Sequence, residues 1–169
     1  GNVRALRAEF PAIRRPLSGQ LQSNRAADAV ALFDVIETVD REKIARELAK
    51  EIERQGRAPS LYVQVNTGEE EQKAGIAPRE AVDFVTRCRQ VHGLAIDGLM
   101  CIPPAGENPG PHFALLRKLA REAGLTKLSL GMSREYEIAV ALGGTGARVG
   151  SGIFGARHAG ACSGSTCNQ

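Results

Sequence analysis

The sequence has no tryptophan and few aromatic residues of any kind, since five phenylalanines and two tyrosines make up 4% of its 169 residues. Single-stranded nucleic acids are commonly held by aromatic side chains that stack on the bases, so this scarcity argues against a nucleic-acid partner. No apolar run approaches the roughly 20 residues that a membrane-spanning helix needs. The N-terminus is charged rather than signal-like, and we therefore predict no membrane association.

Neither the cysteines nor the net charge indicates a binding partner. Of the four cysteines, Cys88 lies in a helical pattern and Cys101 ends an apolar run, so neither pair predicts a disulfide framework. Cys162 and Cys167 lack the further ligand pair that a zinc site needs. The net charge of +3 is spread along the chain without a basic block and does not require an acidic partner. A cytoplasmic location is the default expectation.

The dominant pattern is an alternation of short apolar runs with amphipathic helical segments in a chain long enough for one domain. Such alternation predicts a parallel sheet, because each helix must carry the chain back to the same edge. In the longest of these segments, Asp40 is placed to cap the helix and Gly56 to end it. The predicted strands are Ile13–Gly19, Val35–Val39, Leu61–Asn66, Leu94–Ile102, Leu128–Met132 and Ala147–Gly155. The predicted helices are Asn2–Phe10, Ser23–Phe33, Arg41–Gln55, Pro78–His92, His112–Gly124 and Ser133–Gly143.

Two of these strands end in small residues and a hydroxyl group, at the edge where parallel sheets bind ligands. Met132 and Ser133 close one strand, and Gly150 and Ser151 lie in the other. A serine at a helix N-terminus offers its hydroxyl and nearby backbone N–H groups to a phosphate. Simpler interpretations are a helix cap for Ser133, an interior position for Met132, close packing for Gly150, and a strand-end guanidinium reaching solvent for Arg148.

Several short motifs occur in an order that resembles the pyridoxal phosphate homeostasis protein family, whose members are single-domain relatives of the barrel of bacterial alanine racemase. Each motif is weak alone, whereas the series is specific, and the resemblance covers residues 2–157. The motifs are Leu21-Gln22-Ser23-Asn24, Gln64-Val65-Asn66, Lys73-x-Gly75, Gly98-Leu99-Met100-x-Ile102-Pro103, Gly131-Met132-Ser133 and Arg148-x-Gly150-Ser151-x-Ile153-Phe154-Gly155.

The resemblance implies an α/β fold: an incomplete (β/α)8 TIM barrel of the alanine racemase N-terminal type, with about six of eight strands present. It also implies that the chain binds pyridoxal 5′-phosphate (PLP) without turnover of its own. The implied cofactor-binding residues are Met132, Ser133, Arg148, Gly150 and Ser151, with Arg148 beside the pyridine nitrogen.

The resemblance further divides the chain into a cofactor-binding barrel domain at residues 1–157 and a disordered tail at 158–169. The resemblance also implies a monomer, as in the family.

The chain also departs from the family. The family's first strand, which carries the lysine that holds the cofactor covalently, and its second strand have no counterpart here, and Pro16 stands where the family has a histidine. Lys73 is predicted in a solvated loop at the ligand end and Lys127 at the opposite end of its strand. We therefore expect weakened, noncovalent cofactor binding.

A barrel without its first two strands has two open sheet edges. The unpaired backbone groups at these edges could drive association between copies of the chain. Two alternatives stay open: a racemase-like enzyme on the same scaffold, and a truncated relative that binds nothing.

Overall fold

Within the described residues, six parallel strands form one sheet whose spatial order follows the chain, from β1 to β6. The structure is a computed structural model, and it describes residues 14–130, 141, 144 and 146–147. The strands are β1 (Pro16–Leu17), β2 (Val35–Val39), β3 (Ser60–Val65), β4 (Ile96–Cys101), β5 (Lys127–Leu130) and β6 (Gly146–Ala147).

A helix connects each of the first four strands to the next. The helices are α1 (Ala26–Leu32), α2 (Glu42–Gln55), α3 (Ala81–Gln90) and α4 (Pro109–Glu122). Short 3-10 turns precede two of them, Ser23–Arg25 before α1 and Pro78–Glu80 before α3. Pro78 suits a first-turn position because its fixed φ matches a helix and its missing N–H would have no intrahelical partner there.

The unbroken order of strands distinguishes a barrel from an open doubly wound sheet. In a doubly wound sheet the order reverses at a switch point, whereas in a (β/α)8 barrel each strand lies between its predecessor and its successor. The described sheet has no reversal. The prediction of an incomplete (β/α)8 barrel is therefore confirmed.

The main apolar core lies between the outer face of the sheet and the helices. Leu61, Val63 and Val65 alternate along β3 and are at most 1% exposed, and Ile44 and Leu48 meet this layer from α2 and are fully buried. Burial of one such side chain stabilises the fold by about 1.5–3 kcal/mol. The period of two along the strand and the spacing of four along the helix place these side chains on the faces that meet.

Two predicted helix starts are wrong. Asp40 does not cap α2, because its carboxylate accepts a hydrogen bond from the Arg41 guanidinium at 2.6 Å and Arg41 occupies the N-cap position. Helix α4 begins at Pro109 rather than His112. The Asn108 side chain caps it by accepting a hydrogen bond from the Gly110 N–H at 3.0 Å. Pro109 and Gly110, which resemble a loop in the sequence, therefore form the first turn of the helix. Gly56 does end α2, with φ of 61°.

Other predictions fall outside the described residues: helix Asn2–Phe10, nearly all of helix Ser133–Gly143, and the last strand beyond Ala147. Within the described part of the chain, none of the helices is both long and apolar enough to span a bilayer.

Candidate functional site at the carboxyl ends of the strands

The loops that follow β3 and β4 pack against each other at the carboxyl edge of the sheet. A side chain on Gly68, in the first of these loops, would collide with the ring of Pro104 in the second. Gly68 therefore permits the close approach of the two loops. The two loops therefore meet at one edge, as expected for loops that follow neighbouring parallel strands.

The loop after β3, residues 66–76, is held by the Gln-Val-Asn motif at the strand end. The Asn66 side chain donates to the Glu70 carbonyl oxygen at 2.8 Å and accepts from the Glu70 N–H at 3.3 Å. Backbone hydrogen bonds then return the loop to the strand, from Asn66 N–H to the Ile76 carbonyl at 2.9 Å and from Ile76 N–H to the Gln64 carbonyl at 2.8 Å. The motif therefore fixes the shape of this loop.

The Lys73-x-Gly75 motif serves the same loop. Gly75 has φ of +122°, and a Cβ atom there would lie 2.7 Å from the backbone nitrogen of Asn66. Only glycine combines this dihedral angle with so close an approach. The Lys73 ammonium lies 2.5 Å from the Glu70 carboxylate. The prediction of a solvated loop missed these contacts, although an asparagine at a strand end and a glycine nine residues later were visible signals.

A row of side chains crosses the inner face of the sheet, opposite the helices. Gln64, Met100 and Ser129 are in register on β3, β4 and β5, and Gly146 continues the row on β6. The three side chains are at most 7% exposed. Met100 is fully buried. The row consequently defines a buried inner wall just below the carboxyl edge.

All of the predicted cofactor-binding residues, Met132, Ser133, Arg148, Gly150 and Ser151, lie outside the described residues. The two strands that lead into them are described. Leu130 at the end of β5 is in register with Ala147 at the end of β6, and the strands are parallel.

The lysines of the chain are distributed as the sequence predicted. Lys43 and Lys50 belong to α2 and Lys118 to α4. Lys127 starts β5 at the amino end of the sheet, with its ammonium 3.8 Å from the Asp97 carboxylate. Lys73 is the lysine in the carboxyl-edge loop.

A network of charged side chains lies at the opposite, amino-terminal end of the sheet. The Arg15 guanidinium donates to Asp34 at 2.9 and 3.0 Å, and Arg57 donates to the other carboxylate oxygen at 2.7 Å. Partial burial alone would raise the pKa of Asp34, but the hydrogen bonds from Arg15 and Arg57 outweigh it and lower the pKa below its ordinary value. The network joins β1, β2 and the segment after α2.

Neither thiol chemistry nor metal binding is favoured in the described part of the chain. Cys88 and Cys101 are buried and belong to no disulfide bond among the described residues, and burial raises the pKa of the Cys88 thiol to about 12. Such a thiol is almost entirely protonated at neutral pH and is a poor nucleophile. Among the described residues, no group of three His, Cys, Asp or Glu side chains is arranged to hold a metal ion.

Comparison with known families decides the assignment. Residues 2–158 match the family model for the N-terminal domain of alanine racemase. The chain belongs to this family. It is 39% identical over 150 residues to the pyridoxal phosphate homeostasis protein of Pseudomonas aeruginosa, a match that covers 85% of this chain and 64% of the relative. It is 32% identical over 148 residues to the protein of the same name from Aquifex aeolicus, with coverage of 82% and 65%.

Solved structures of the family agree with this assignment. PipY of Synechococcus elongatus without PLP superimposes with a TM-score of 0.80 at 36% identity, over 91% of this chain and 78% of PipY. PipY with PLP bound superimposes with a TM-score of 0.76 at 34% identity, with coverage of 90% and 75%. The alanine racemase of Clostridium difficile shares the fold, with a TM-score of 0.70 at 14% identity over 87% of this chain and 41% of the racemase.

The predicted resemblance to pyridoxal phosphate homeostasis proteins is therefore confirmed. The chain spans about 64% of the length of the curated relatives it matches.

Proposed function

We propose that this chain binds pyridoxal 5′-phosphate noncovalently and takes part in PLP homeostasis rather than in catalysis. The observation that carries the proposal is the similarity to PipY, which has been solved with PLP bound and which matches 90% of this chain at 34% identity. The names of the curated relatives agree with it.

The residues that follow β5 and β6 in the sequence are of types that fit this cofactor. Strands β5 and β6 run side by side and end in register, directly before Gly131–Ser133 and Arg148–Ser151. These segments together contain two hydroxyl groups, two glycine N–H groups and a guanidinium. Hydroxyl and backbone N–H donors suit a phosphate dianion, and the guanidinium suits an unprotonated pyridine nitrogen.

Each predicted ligand residue has a definite task in this proposal. Ser133, Gly150 and Ser151 would bind the phosphate, and Met132 would line the pocket beside Ser133. Bound PLP supplies an aldehyde that reacts with amines and a ring that can accept electrons. Arg148 would keep the ring nitrogen unprotonated, because a guanidinium does not give up its proton. An unprotonated ring is a weaker electron acceptor, which favours a carrier or a racemase over a transaminase.

The test is a visible-absorbance titration with PLP on the wild-type chain and on a Ser133→Ala, Ser151→Ala double variant. Each hydrogen bond to a charged group contributes about 1.5–3 kcal/mol, so we expect binding to weaken by more than tenfold. Thr86→Ala, on α3 and away from the carboxyl edge, is the matched control and should leave affinity unchanged. The absence of saturable binding to the wild-type chain would contradict the proposal.

Borohydride reduction of the loaded protein separates noncovalent from covalent binding. Peptide mapping should show no labelled lysine, Lys73 included, and alanine racemisation should stay at the uncatalysed rate. A cofactor fixed to any lysine of this chain would refute the noncovalent part of the proposal.

The match over residues 2–158 supports one cofactor-binding domain over residues 1–157, with residues 158–169 as a tail. We further propose that the protein is cytoplasmic, in keeping with Cys88 and Cys101 being reduced rather than paired in a disulfide. The family would make it a monomer, and sedimentation at several concentrations tests for edge-driven association.

A further inference from the structure

Strand β2 carries an irregularity that turns two polar residues toward the inner face of the barrel. Ile36 pairs with Leu61 of β3 and Val39 pairs with Val63. Strand β2 therefore advances by three residues over a stretch in which β3 advances by two. Both Ile36 and Val39 belong to the core between sheet and helices. The intervening residues, Glu37 and Thr38, therefore share the opposite face, as the paired residues of a β-bulge do.

This inner face is polar for the interior of a barrel. Barrel interiors are usually filled by layers of valine, isoleucine and leucine. Here the same face presents Gln64 on β3 and Ser129 on β5, which are 7% and 2% exposed. Met100 is fully buried between them but lies outside the apolar cluster that packs against the helices. Bulges often occur next to ligand sites, where they redirect a side chain.

The Thr38 hydroxyl is the clearest sign that this face is built for a ligand. The residue is 1% exposed, and its Oγ1 atom has no hydrogen-bond partner among the described residues. A buried hydroxyl without a partner is costly, and native proteins seldom keep one unless a water molecule or ligand satisfies it.

The other polar side chains that β2 and β3 bring to this face are mainly hydrogen-bond acceptors. Glu37 is 6% exposed and brings a carboxylate, which also interacts with another group of the protein. The Gln64 amide donates to the Ala74 carbonyl at 3.2 Å, which leaves its oxygen to accept. From strand spacing and rise, Gln64 and Thr38 lie about 8 Å apart at Cα, within reach of one small group. A carboxylate, an amide oxygen and a hydroxyl together suit a primary ammonium group.

We propose that Glu37, Thr38 and Gln64 form an ammonium subsite on the inner face of the barrel, and that it receives the amino group of pyridoxamine 5′-phosphate. The inference rests on the proposed function. Gln64 is in the inner row that reaches Gly146, two residues before the predicted cofactor residue Arg148. The chain would then hold the amino form of the cofactor as well as the aldehyde form.

The test compares calorimetric titrations of pyridoxamine 5′-phosphate and of PLP on the wild-type chain, Glu37→Gln and Thr38→Val. Glu37→Gln keeps the size of the side chain and removes its charge, and Thr38→Val exchanges the hydroxyl for a methyl group. We expect each to weaken binding of pyridoxamine 5′-phosphate at least tenfold and binding of PLP less than threefold. The exposed-surface variants Glu53→Gln and Thr86→Val are the matched controls and should change neither.

The outcomes separate this inference from the proposed function. If PLP binds and pyridoxamine 5′-phosphate does not, or if the variants weaken both ligands equally, the ammonium subsite is refuted and PLP binding stands. If neither ligand binds to the wild-type chain, both proposals fail. Thermal melts check the fold, and Thr38→Val should raise the melting temperature because the free protein gives its hydroxyl no partner. Thr38→Ser, which keeps the hydroxyl, should restore binding of the amino form.

Discussion

Asp34 shows how one side chain can join segments that are distant in sequence. Its carboxylate accepts hydrogen bonds from Arg15, before β1, and from Arg57, after α2. The Arg15 and Arg57 side chains are 13% and 26% exposed, so both guanidinium groups have lost much of their hydration. Removing the shared carboxylate would leave two partly buried cations without their partner.

We therefore expect Asp34→Asn to lower the free energy of unfolding by about 1–3 kcal/mol, as measured by urea denaturation at pH 7. Asp28→Asn is the matched control, because Asp28 pairs with Arg25 where both side chains are more than half exposed. Such surface pairs contribute about 0–1 kcal/mol. Equal effects of the two substitutions would contradict the importance assigned to the network.

The same network makes stability depend on pH in a defined direction. The pKa of Asp34 is lower in the folded protein than its ordinary value, so the folded state holds the proton less tightly than the unfolded state. Its contribution is complete above the unfolded pKa of about 4 and is lost as the pH falls through the folded pKa. The difference in stability between wild type and Asp34→Asn should stay constant from pH 7 to pH 5 and shrink below pH 4.

At the scale of the element, the loop at residues 66–76 is shaped by contacts with the strand before it. Asn66 and Gly75 act together, since the side chain of Asn66 closes one turn while Gly75 brings the chain back beside the Asn66 backbone. The loop in turn meets Pro104 of the next loop. A change at Gly75 should therefore reach a large part of the carboxyl edge.

We predict that Gly75→Ala loosens this loop, because an alanine fits neither the positive φ nor the space beside Asn66. Backbone strain of this kind costs about 1–3 kcal/mol. Hydrogen exchange should become faster at Ile76 and Glu70, while the amides of α2 keep their protection. Gly93→Ala is the control, since φ is also positive there, at +64°, but a Cβ atom would meet nothing within 4 Å. Unchanged exchange in Gly75→Ala would contradict this account of the motif.

The elements also show where sequence patterns are sufficient and where they are not. The apolar runs predicted the strands, and their alternation with helices predicted a parallel sheet. The closed order of a barrel was implied by the family resemblance. Apolar periodicity placed the start of α4 too late, since Pro109 and Gly110 look like a loop until the Asn108 cap is seen. The bulge that contains Glu37 and Thr38 could not be predicted, because it exists only as a difference in register between two strands.

At the scale of the whole molecule, the buried thiol of Cys88 is a probe of cooperative opening. Cys88 lies fully buried on α3, within the core between helices and sheet. Its raised pKa, about 12, leaves almost no thiolate at neutral pH. Access to a reagent therefore requires that a large part of the core opens.

We expect iodoacetamide to leave Cys88 unmodified in the native protein at pH 8 and to alkylate it fully in 6 M guanidinium chloride. Mass spectrometry of peptides identifies the modified residue. The Cys88 labelling rate should rise with urea in parallel with global unfolding measured by circular dichroism. Rapid labelling under native conditions would place Cys88 outside the core.

The order of the sheet has a consequence for the way the protein is made. Each strand from β2 to β6 pairs with the strand that came before it in the chain, so none must wait for a later segment to be inserted between itself and that neighbour. During synthesis, each newly released strand and helix can add to a partner that has already left the ribosome. The sheet can therefore grow in one direction, unit by unit, while translation is still under way.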